Sequence, residues 1–156
     1  MSARSKAFLQ AEHFSLLVDG HNVLYALRGV FVEHFVDGRP RSDAREALAT
    51  RLAAAFEQPG AAVRLYFDGS EANVERRSDT LEVIYSGGVG EGRADQAILD
   101  DIKRRSRAGS VDPLGLVTSD LKLARLAQRR GVTIIAPEDV LPWLSAAAAT
   151  EEGVPP

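Results

Sequence analysis

Residues 15–22 read Ser-Leu-Leu-Val-Asp-Gly-His-Asn, and this stretch decides the fold. Its apolar run at 16–18 is bounded by a turn signal, which predicts a short strand buried on both faces of a sheet. Asp19 stands at the end of that strand, and Gly20 allows the backbone to turn sharply there. In open parallel α/β sheets, functional sites lie beyond the carboxyl ends of the strands. Asp19 is therefore either a site carboxylate or the cap of the next helix.

The length and composition are those of one ordinary globular domain. The chain has 156 residues, of which 45% are hydrophobic and 26% are charged, and such a chain can bury a sizeable core. We predict a single domain over residues 1–156, with flexible termini at 1–13 and 150–156. No cysteine is present, which excludes disulfides and thiolate metal sites. Neither a signal peptide nor an apolar run near the ~20 residues of a membrane span is visible, so we expect a cytoplasmic protein with no membrane contact.

Strand and helix patterns alternate along the rest of the chain. Short apolar runs predict five strands, at 16–18, 63–67, 81–85, 114–118 and 132–135. Helical periodicity predicts helices at 23–27, 42–56, 93–107, 121–130 and 137–149. Surface loops are predicted at 31–41, where a small hairpin fits, and at 71–80. This alternation predicts right-handed crossovers and helices on both faces of the sheet. The fold class is therefore three-layer α/β/α, with a five-stranded, mainly parallel sheet in the order 3-2-1-4-5.

Three aspartates directly follow predicted strands, and a fourth begins a helix. Asp19, Asp68 and Asp120 stand at strand ends, so a parallel sheet brings them to one edge. Asp95 lies in the first turn of the helix at 93–107, on the apolar stripe that faces the sheet. Four carboxylates in one pocket repel each other unless a cation compensates them. The sequence therefore predicts a metal site at this edge, although each aspartate alone could be a cap or a turn residue.

Mg²⁺ or Mn²⁺ is the cation that suits this site. Both prefer oxygen ligands, and the three histidines have no recognisable zinc spacing. Such an ion can activate water and stabilise the charge on a phosphate during in-line displacement. The predicted chemistry is therefore hydrolysis at a phosphate group.

Three polar residues beside the aspartates each have two interpretations. Asn22 either orients the metal-bound water or the scissile phosphate through its amide, or it is the N-cap of the next helix. Ser119 either contacts the substrate or caps the helix that starts at Asp120. His21 either touches the substrate or packs its ring at the turn after the first strand.

Four motifs, in chain order, resemble those of the YacP-like NYN domains, a family of the PIN-like nuclease superfamily. They are Val-Asp-Gly-His-Asn-Val at 18–23, Tyr-Phe-Asp-Gly at 66–69, Gly-Arg-Ala-Asp-Gln-Ala-Ile at 92–98 and Val-Thr-Ser-Asp at 117–120. The resemblance covers about residues 16–144. It implies a PIN-like fold and a metal-dependent endoribonuclease that acts on RNA with Mg²⁺ or Mn²⁺ as cofactor. Some family members are associated with the ribosome, so ribosome-associated mRNA is an implied substrate.

The resemblance also implies roles for individual residues. The implied catalytic residues are Asp19, Asn22, Asp95 and Asp120. The implied metal ligands are Asp19, Asp68, Asp95 and Asp120. Arg93 stands where family members often have the threonine of a Thr-Ala-Asp motif, so contacts to a metal-bound water are altered there. We assign Arg93 to substrate binding, together with Ser119.

The net charge of −3 provides no overall basic field. The RNA-binding surface must therefore be inferred from local groups of cations. Arg76 and Arg77 follow Asp68 on a predicted loop near the cleft rim, and we expect them to bind RNA phosphates. The cations at 103–107 suit the end of their helix, so we interpret them as a solvated helix end. A third group of cations lies at 122–130. No row of aromatic residues for base stacking is visible.

Two other functions fit the residues less well than a nuclease does. A non-catalytic RNA- or ribosome-binding module would keep the fold without turnover, but a binder of polyanions would do better without the carboxylates. A phosphohydrolase with an aspartyl nucleophile needs a second acid two residues after Asp19, where His21 stands. The prediction is therefore a metal-dependent endoribonuclease.

Overall fold

Helices and strands alternate along the chain, as the sequence pattern predicts. The computed structural model describes residues 2–88, 90 and 92–152. In chain order, the elements are α1 (Ala3–Leu9), β1 (Phe14–Asp19), α2 (Gly20–Ala26), a 3₁₀ turn (Val32–His34), β2 (Phe35–Val36), β3 (Arg39–Pro40), α3 (Ser42–Ala55), β4 (Ala61–Phe67), β5 (Asn73–Arg76), β6 (Leu81–Tyr85), α4 (Arg93–Arg107), β7 (Leu114–Val117), α5 (Leu121–Gln128), β8 (Thr133–Ile135) and α6 (Pro137–Glu152).

The main sheet has the strand order β5-β6-β4-β1-β7-β8. All neighbouring pairs are parallel apart from β5, which runs antiparallel to β6 at one edge. The predicted fold class and the order of the five predicted strands are confirmed. The sheet has a sixth strand, β5, within the segment 71–80 that we predicted to be a loop. Its side chains are mostly exposed, so no alternation of buried and exposed residues marks it in the sequence.

The first predicted strand, β1, lies in the middle of the sheet. All six of its residues are buried, because helices cover both faces of a mainly parallel sheet. Leu16 and Val18 pack into a core formed with α1, α2, α3 and α6. Leu17 points to the opposite face and packs with residues of α4 and α5. The apolar run at 16–18 therefore holds the three layers together.

The amino-terminal segment differs from the expected flexible region at 1–13, because α1 lies within it. Phe8 and Leu9 of this helix are buried, and the Phe8 ring centroid lies 5.3 Å from that of Phe14. A helix of seven residues is too short to be stable alone, so packing on the core holds it. At the other end, α6 extends through Glu152, and residues 153–156 of the segment predicted to be flexible lie outside the described residues.

Smaller elements agree with the sequence pattern with some shifts of boundary. The loop at 31–41 contains the expected small hairpin, β2 with β3, and its turn uses Asp37 and Gly38 with positive φ angles of 53° and 74°. The helix predicted at 23–27 begins earlier, at Gly20. Across the described residues, every helix is either too short or too polar to cross a lipid bilayer.

Candidate active site

The carboxyl edge of the sheet brings the four aspartates toward one another. In the parallel ladder, Asp19 pairs with Tyr66, two residues before Asp68, and Val18 pairs with Val117, three residues before Asp120. Electrostatic coupling links Asp19 to both Asp95 and Asp120, and links Asp95 to both Asp68 and Asp120. We call this group of Asp19, Asp68, Asp95 and Asp120 the carboxylate edge. The placement of the four residues at one edge is as the strand pattern predicts.

Asp19 is the most buried member of the carboxylate edge, with 6% of the residue exposed. Burial raises its pKa to about 7, and the charges of Asp95 and Asp120 act in the same direction. The Thr118 hydroxyl donates a hydrogen bond of 3.0 Å to Asp19 Oδ2, which opposes that rise. Asp19 precedes α2, but its side chain forms no cap hydrogen bond there. Asp19 still occupies the N-cap position of α2, and the backbone N–H of Asn22 lowers its pKa, so the cap and the site interpretations are compatible.

The turn after Asp19 requires glycine for steric reasons. A Cβ atom at Gly20 would lie 2.4 Å from the Phe67 ring and 2.6 Å from the carbonyl oxygen of Tyr66. No side chain fits at such distances without movement of β4. Gly20 therefore lets the end of β1 approach the end of β4 closely, which sets the position of Asp19.

Asp95 lies where three charges act on it. Burial raises its pKa above the usual value, the neighbouring carboxylates of Asp120 and Asp68 raise it further, and Lys122 lowers it. The two raised pKa values, those of Asp19 and Asp95, have the same causes: partial exclusion of water and repulsion between like charges. The carboxylate edge therefore favours uptake of a proton or a cation.

Asp68 and Asp120 each use one carboxylate oxygen to cap a helix. Asp68 Oδ1 accepts a hydrogen bond of 2.7 Å from the backbone N–H of Ala94, at the start of α4. Asp120 is the N-cap of α5, and its Oδ1 accepts a bond of 3.1 Å from the N–H of Leu123. These contacts fix the two helices against the carboxylate edge. The cap and the site interpretations are compatible, because each carboxylate has a second oxygen.

Asn22 and Ser119 bind each other across the edge. Asn22 Oδ1 accepts hydrogen bonds from the backbone N–H of Ser119 at 2.7 Å and from its hydroxyl at 3.0 Å. Neither residue is a helix N-cap, since Asp19 and Asp120 hold those positions, and the two cap interpretations are wrong. This contact joins α2 to the loop between β7 and α5. Because Asn22 Oδ1 accepts both hydrogen bonds, the orientation of the Asn22 amide is fixed.

Thr118 and Arg45 belong to this region, and sequence reasoning missed both. The Thr118 hydroxyl donates to Asp19 and also accepts a bond of 3.1 Å from the N–H of Asp120, so it joins two carboxylate-bearing segments. Its position in the Val-Thr-Ser-Asp motif was the available signal. Arg45 reaches across from α3, and its Nη1 donates to the carbonyl oxygen of Asp68 at 3.3 Å. Nothing in the pattern of α3 marks Arg45.

The His21 ring packs at the turn after β1, which is one of the two roles predicted for it. Its ring centroid lies 5.4 Å from that of Phe67, and the guanidinium of Arg45 lies 5.1 Å from the same Phe67 ring. Burial lowers the pKa of His21, the charge of Arg45 lowers it further, and Asp68 opposes both. The ring is therefore held neutral beside the carboxylate edge.

The three arginines assigned to substrate binding are not equivalent. Arg93 begins α4, and its side chain passes over Gly88 in a cavity of about 330 Å³ that Asp68 also lines. Arg76 and Arg77 lie elsewhere, because β5 runs antiparallel to β6 and carries them away from the carboxyl ends of the strands.

Both of these distant arginines have carboxylate partners. Arg76 pairs with Glu82, at 3.7 Å, and Arg77 pairs with Glu75 and with Glu46 of α3. The expectation that they sit on a loop near the cleft rim is wrong. The sequence could not reveal the pair of Arg77 with Glu46, which lies 31 residues away along the chain.

Residues 16–152 match the sequence model of the YacP-like NYN domain. The chain belongs to this family. No curated protein matches it. NYN domains are generally nucleases, so membership supports a hydrolytic, RNA-related function.

Two solved structures are similar to this chain. One is a single-residue mutant of Rae1 (YacP) from Bacillus subtilis, with a TM-score of 0.66 and 19% identity, covering 89% of this chain and 79% of that one. The other is a second structure of Rae1 (YacP) from the same organism, with a TM-score of 0.59 and 21% identity, covering 88% and 76%. At these identities the likeness concerns the fold. It confirms the predicted α/β architecture of the family.

Proposed function

We propose that this chain is a Mg²⁺- or Mn²⁺-dependent endoribonuclease that hydrolyses RNA phosphodiester bonds at the carboxylate edge. One observation carries the proposal: Asp19, Asp68, Asp95 and Asp120 lie at one edge of the sheet, where burial, Asp95 and Asp120 raise the pKa of Asp19 to about 7. Such a concentration of like charges costs stability, and strongly perturbed carboxylates in proteins are concentrated at functional sites. A divalent cation bound among them would remove the repulsion.

The donor atoms suit a hard cation held in an open site. Within the described residues, no three side chains of His, Cys, Asp or Glu are arranged as a group that could hold a metal ion. Mg²⁺ does not require three such side chains, because it is commonly bound through one or two carboxylates together with water and substrate phosphates. The candidate ligands are Asp19, Asp68, Asp95 and Asp120, of which one or two would bind the ion directly and the others through water. When bound, the ion supplies a more acidic water and charge neutralisation at the phosphate.

The remaining residues of the edge position the substrate in this proposal. The amide of Asn22, whose oxygen is held by Ser119, presents its NH₂ group toward a phosphate oxygen. Arg93 and Arg45 provide cations beside Asp68, where they can neutralise phosphate charge on the RNA strand. RNA is thus the proposed partner, ribosome-associated mRNA is the narrower proposal, and the proposed location is the cytoplasm.

Cleavage of a labelled RNA with Mg²⁺, with Mn²⁺ and with EDTA tests the proposal. We expect metal-dependent cleavage that falls at least about a hundredfold in Asp19→Asn and Asp95→Asn, because the metal accounts for several kcal/mol of transition-state stabilisation. Asp79→Asn is the matched control, since Asp79 is exposed in the turn between β5 and β6 and makes the same chemical change. Repeating the assay with mRNA on translating ribosomes tests the narrower substrate.

Two results would contradict the proposal. Cleavage that continues at the wild-type rate in Asp19→Asn would exclude the carboxylate edge as the active site. RNA binding without metal-dependent cleavage would instead favour a non-catalytic RNA- or ribosome-binding module. Family membership supports nuclease activity in general, so the second result would mean that this chain keeps the fold without the reaction.

A further inference from the structure

A groove leads away from the carboxylate edge between α4 and α5. A cavity of about 300 Å³ starts at the edge and is lined by Gly92, Asp95, Gln96, Leu99, Asp120, Lys122, Leu123 and Leu126. A second cavity of about 270 Å³ is lined by Leu99, Ile102, Lys103, Leu126, Arg129 and Arg130. Leu99 and Leu126 line both cavities, so the two are adjacent along the helix pair. We call them together the α4–α5 groove.

The charge of the groove changes sign along its length. Asp95 and Asp120 lie at the end next to the carboxylate edge, whereas Lys103, Arg129 and Arg130 line the far end. In the part of the chain that the structure describes, these three cations form no ion pair. Folding therefore leaves a cluster of uncompensated positive charge at the far end of the groove, where an anion can bind.

The neighbouring arginines of α4 have a different role, which separates them from Lys103. Arg104 and Arg105 pair with the buried carboxylate of Asp101, at 2.8 Å and 2.9 Å. From the sheet, Arg64 Nε pairs with Asp101 at 2.9 Å, and the Tyr66 hydroxyl donates to the same carboxylate. The expectation that the cations at 103–107 form one solvated helix end is therefore wrong. Two of them anchor α4 to the sheet, which gives the groove a rigid wall.

We infer that the α4–α5 groove binds the single-stranded RNA segment that flanks the scissile phosphate, with its phosphates on Lys103, Arg129 and Arg130. The inference rests on the proposed function, which puts the reacting phosphate at the carboxylate edge. Lys103 follows Asp95 by eight residues on the same helix, so the two ends are roughly 12 Å apart along the axis. Cavities of about 300 Å³ suit one strand rather than a duplex. Leu99 and Leu126 form an apolar middle section against which a base or sugar can pack.

The test compares two triple variants with the same change in net charge. Lys103→Ala, Arg129→Ala and Arg130→Ala together remove the cations of the groove. Arg4→Ala, Lys6→Ala and Arg39→Ala remove three exposed cations on elements of the opposite helical layer. Binding of a fluorescent single-stranded oligoribonucleotide is measured in EDTA at several salt concentrations, so that cleavage cannot interfere.

We expect the groove variant to lower the slope of log affinity against log salt by about two, at ~0.7 per phosphate contact on a single strand. In cleavage assays its KM should rise about tenfold or more with kcat nearly unchanged, because the lost contacts act on ground state and transition state alike. The control variant should keep the wild-type slope and KM. Equal slopes and KM values for the two variants would overturn the inference.

A second measurement does not depend on removing charge. Because the chain has no cysteine, Ser106→Cys can carry a photo-cross-linker near the far end of the groove, and Ala7→Cys can carry it on α1 as the control. RNA should cross-link to the first and not to the second, and the reverse pattern would overturn the inference.

If the wild type binds RNA but never cleaves it, the proposed function fails, while the salt slopes and the cross-links still test whether the groove binds RNA. If the wild type binds no single-stranded RNA, the groove inference fails.

Discussion

The raised pKa of Asp19 makes the stability of the protein depend on pH in a defined direction. In the folded chain without metal, the carboxyl keeps its proton up to about pH 7, whereas the ordinary pKa of an aspartate is 3.8. Between these values the folded state binds one more proton than the unfolded state. The free energy of unfolding therefore falls as pH rises from about 4 to about 7, and the loss from this group is complete above that range.

Asp19→Asn isolates this contribution, because the amide has nearly the same shape and its oxygen can still accept the bond from Thr118. The maximum slope is about 1.4 kcal/mol per pH unit, and the whole shift corresponds to at most about 4 kcal/mol. We expect Asp19→Asn to match the wild type near pH 4 and to exceed its stability by about 2–4 kcal/mol near pH 8, in metal-free buffer.

Urea unfolding of both proteins in EDTA at several pH values measures the difference directly, and other titrating groups cancel in the comparison. Asp79→Asn serves as the control, since an exposed aspartate should give a difference that stays near zero at every pH. A stability difference between Asp19→Asn and the wild type that does not change with pH would refute the reasoning. So would a variant that is less stable than the wild type near pH 8.

Three further predictions concern the same region. Mg²⁺ or Mn²⁺ at millimolar concentration should raise the Tm of the wild type near pH 8 by binding only the folded form, and Asp19→Asn should lose most of this shift in a thermal melt; a full shift in that variant would separate Asp19 from the ion. Asp95→Asn should leave stability unchanged or slightly higher in EDTA, because repulsion is relieved; a loss of ~0.3–1 kcal/mol with retained cleavage would mean that Asp95 only complements the helix dipole. Asp101→Asn should destabilise the chain by about 2–4 kcal/mol in denaturant unfolding, since Arg64, Arg104 and Arg105 all lose the charge of this buried carboxylate, whereas the neighbouring exposed Asp100→Asn should change stability by less than ~0.5 kcal/mol.

Local pattern was enough for most of the fold. Apolar runs predicted every parallel strand, and their alternation with helices predicted the strand order that the sheet adopts. The pattern failed where local signal is weak. β5 is an exposed edge strand, and α1 has seven residues, so both elements depend on what they pack against rather than on their own periodicity.

The candidate site could likewise be predicted only in part from the sequence. The sequence by itself determined that four aspartates meet at one edge, because parallel strands end on the same side and a helix phase is set by its apolar residues. Only the tertiary structure decided that Asp68 caps α4, that Asn22 accepts hydrogen bonds from Ser119, and that Arg45 of α3 donates to the backbone of Asp68. It also decided that Arg77 pairs with Glu46 and that Lys103 forms no ion pair among the described residues. These contacts join segments far apart in the chain and follow from how the layers pack, which no local spacing records.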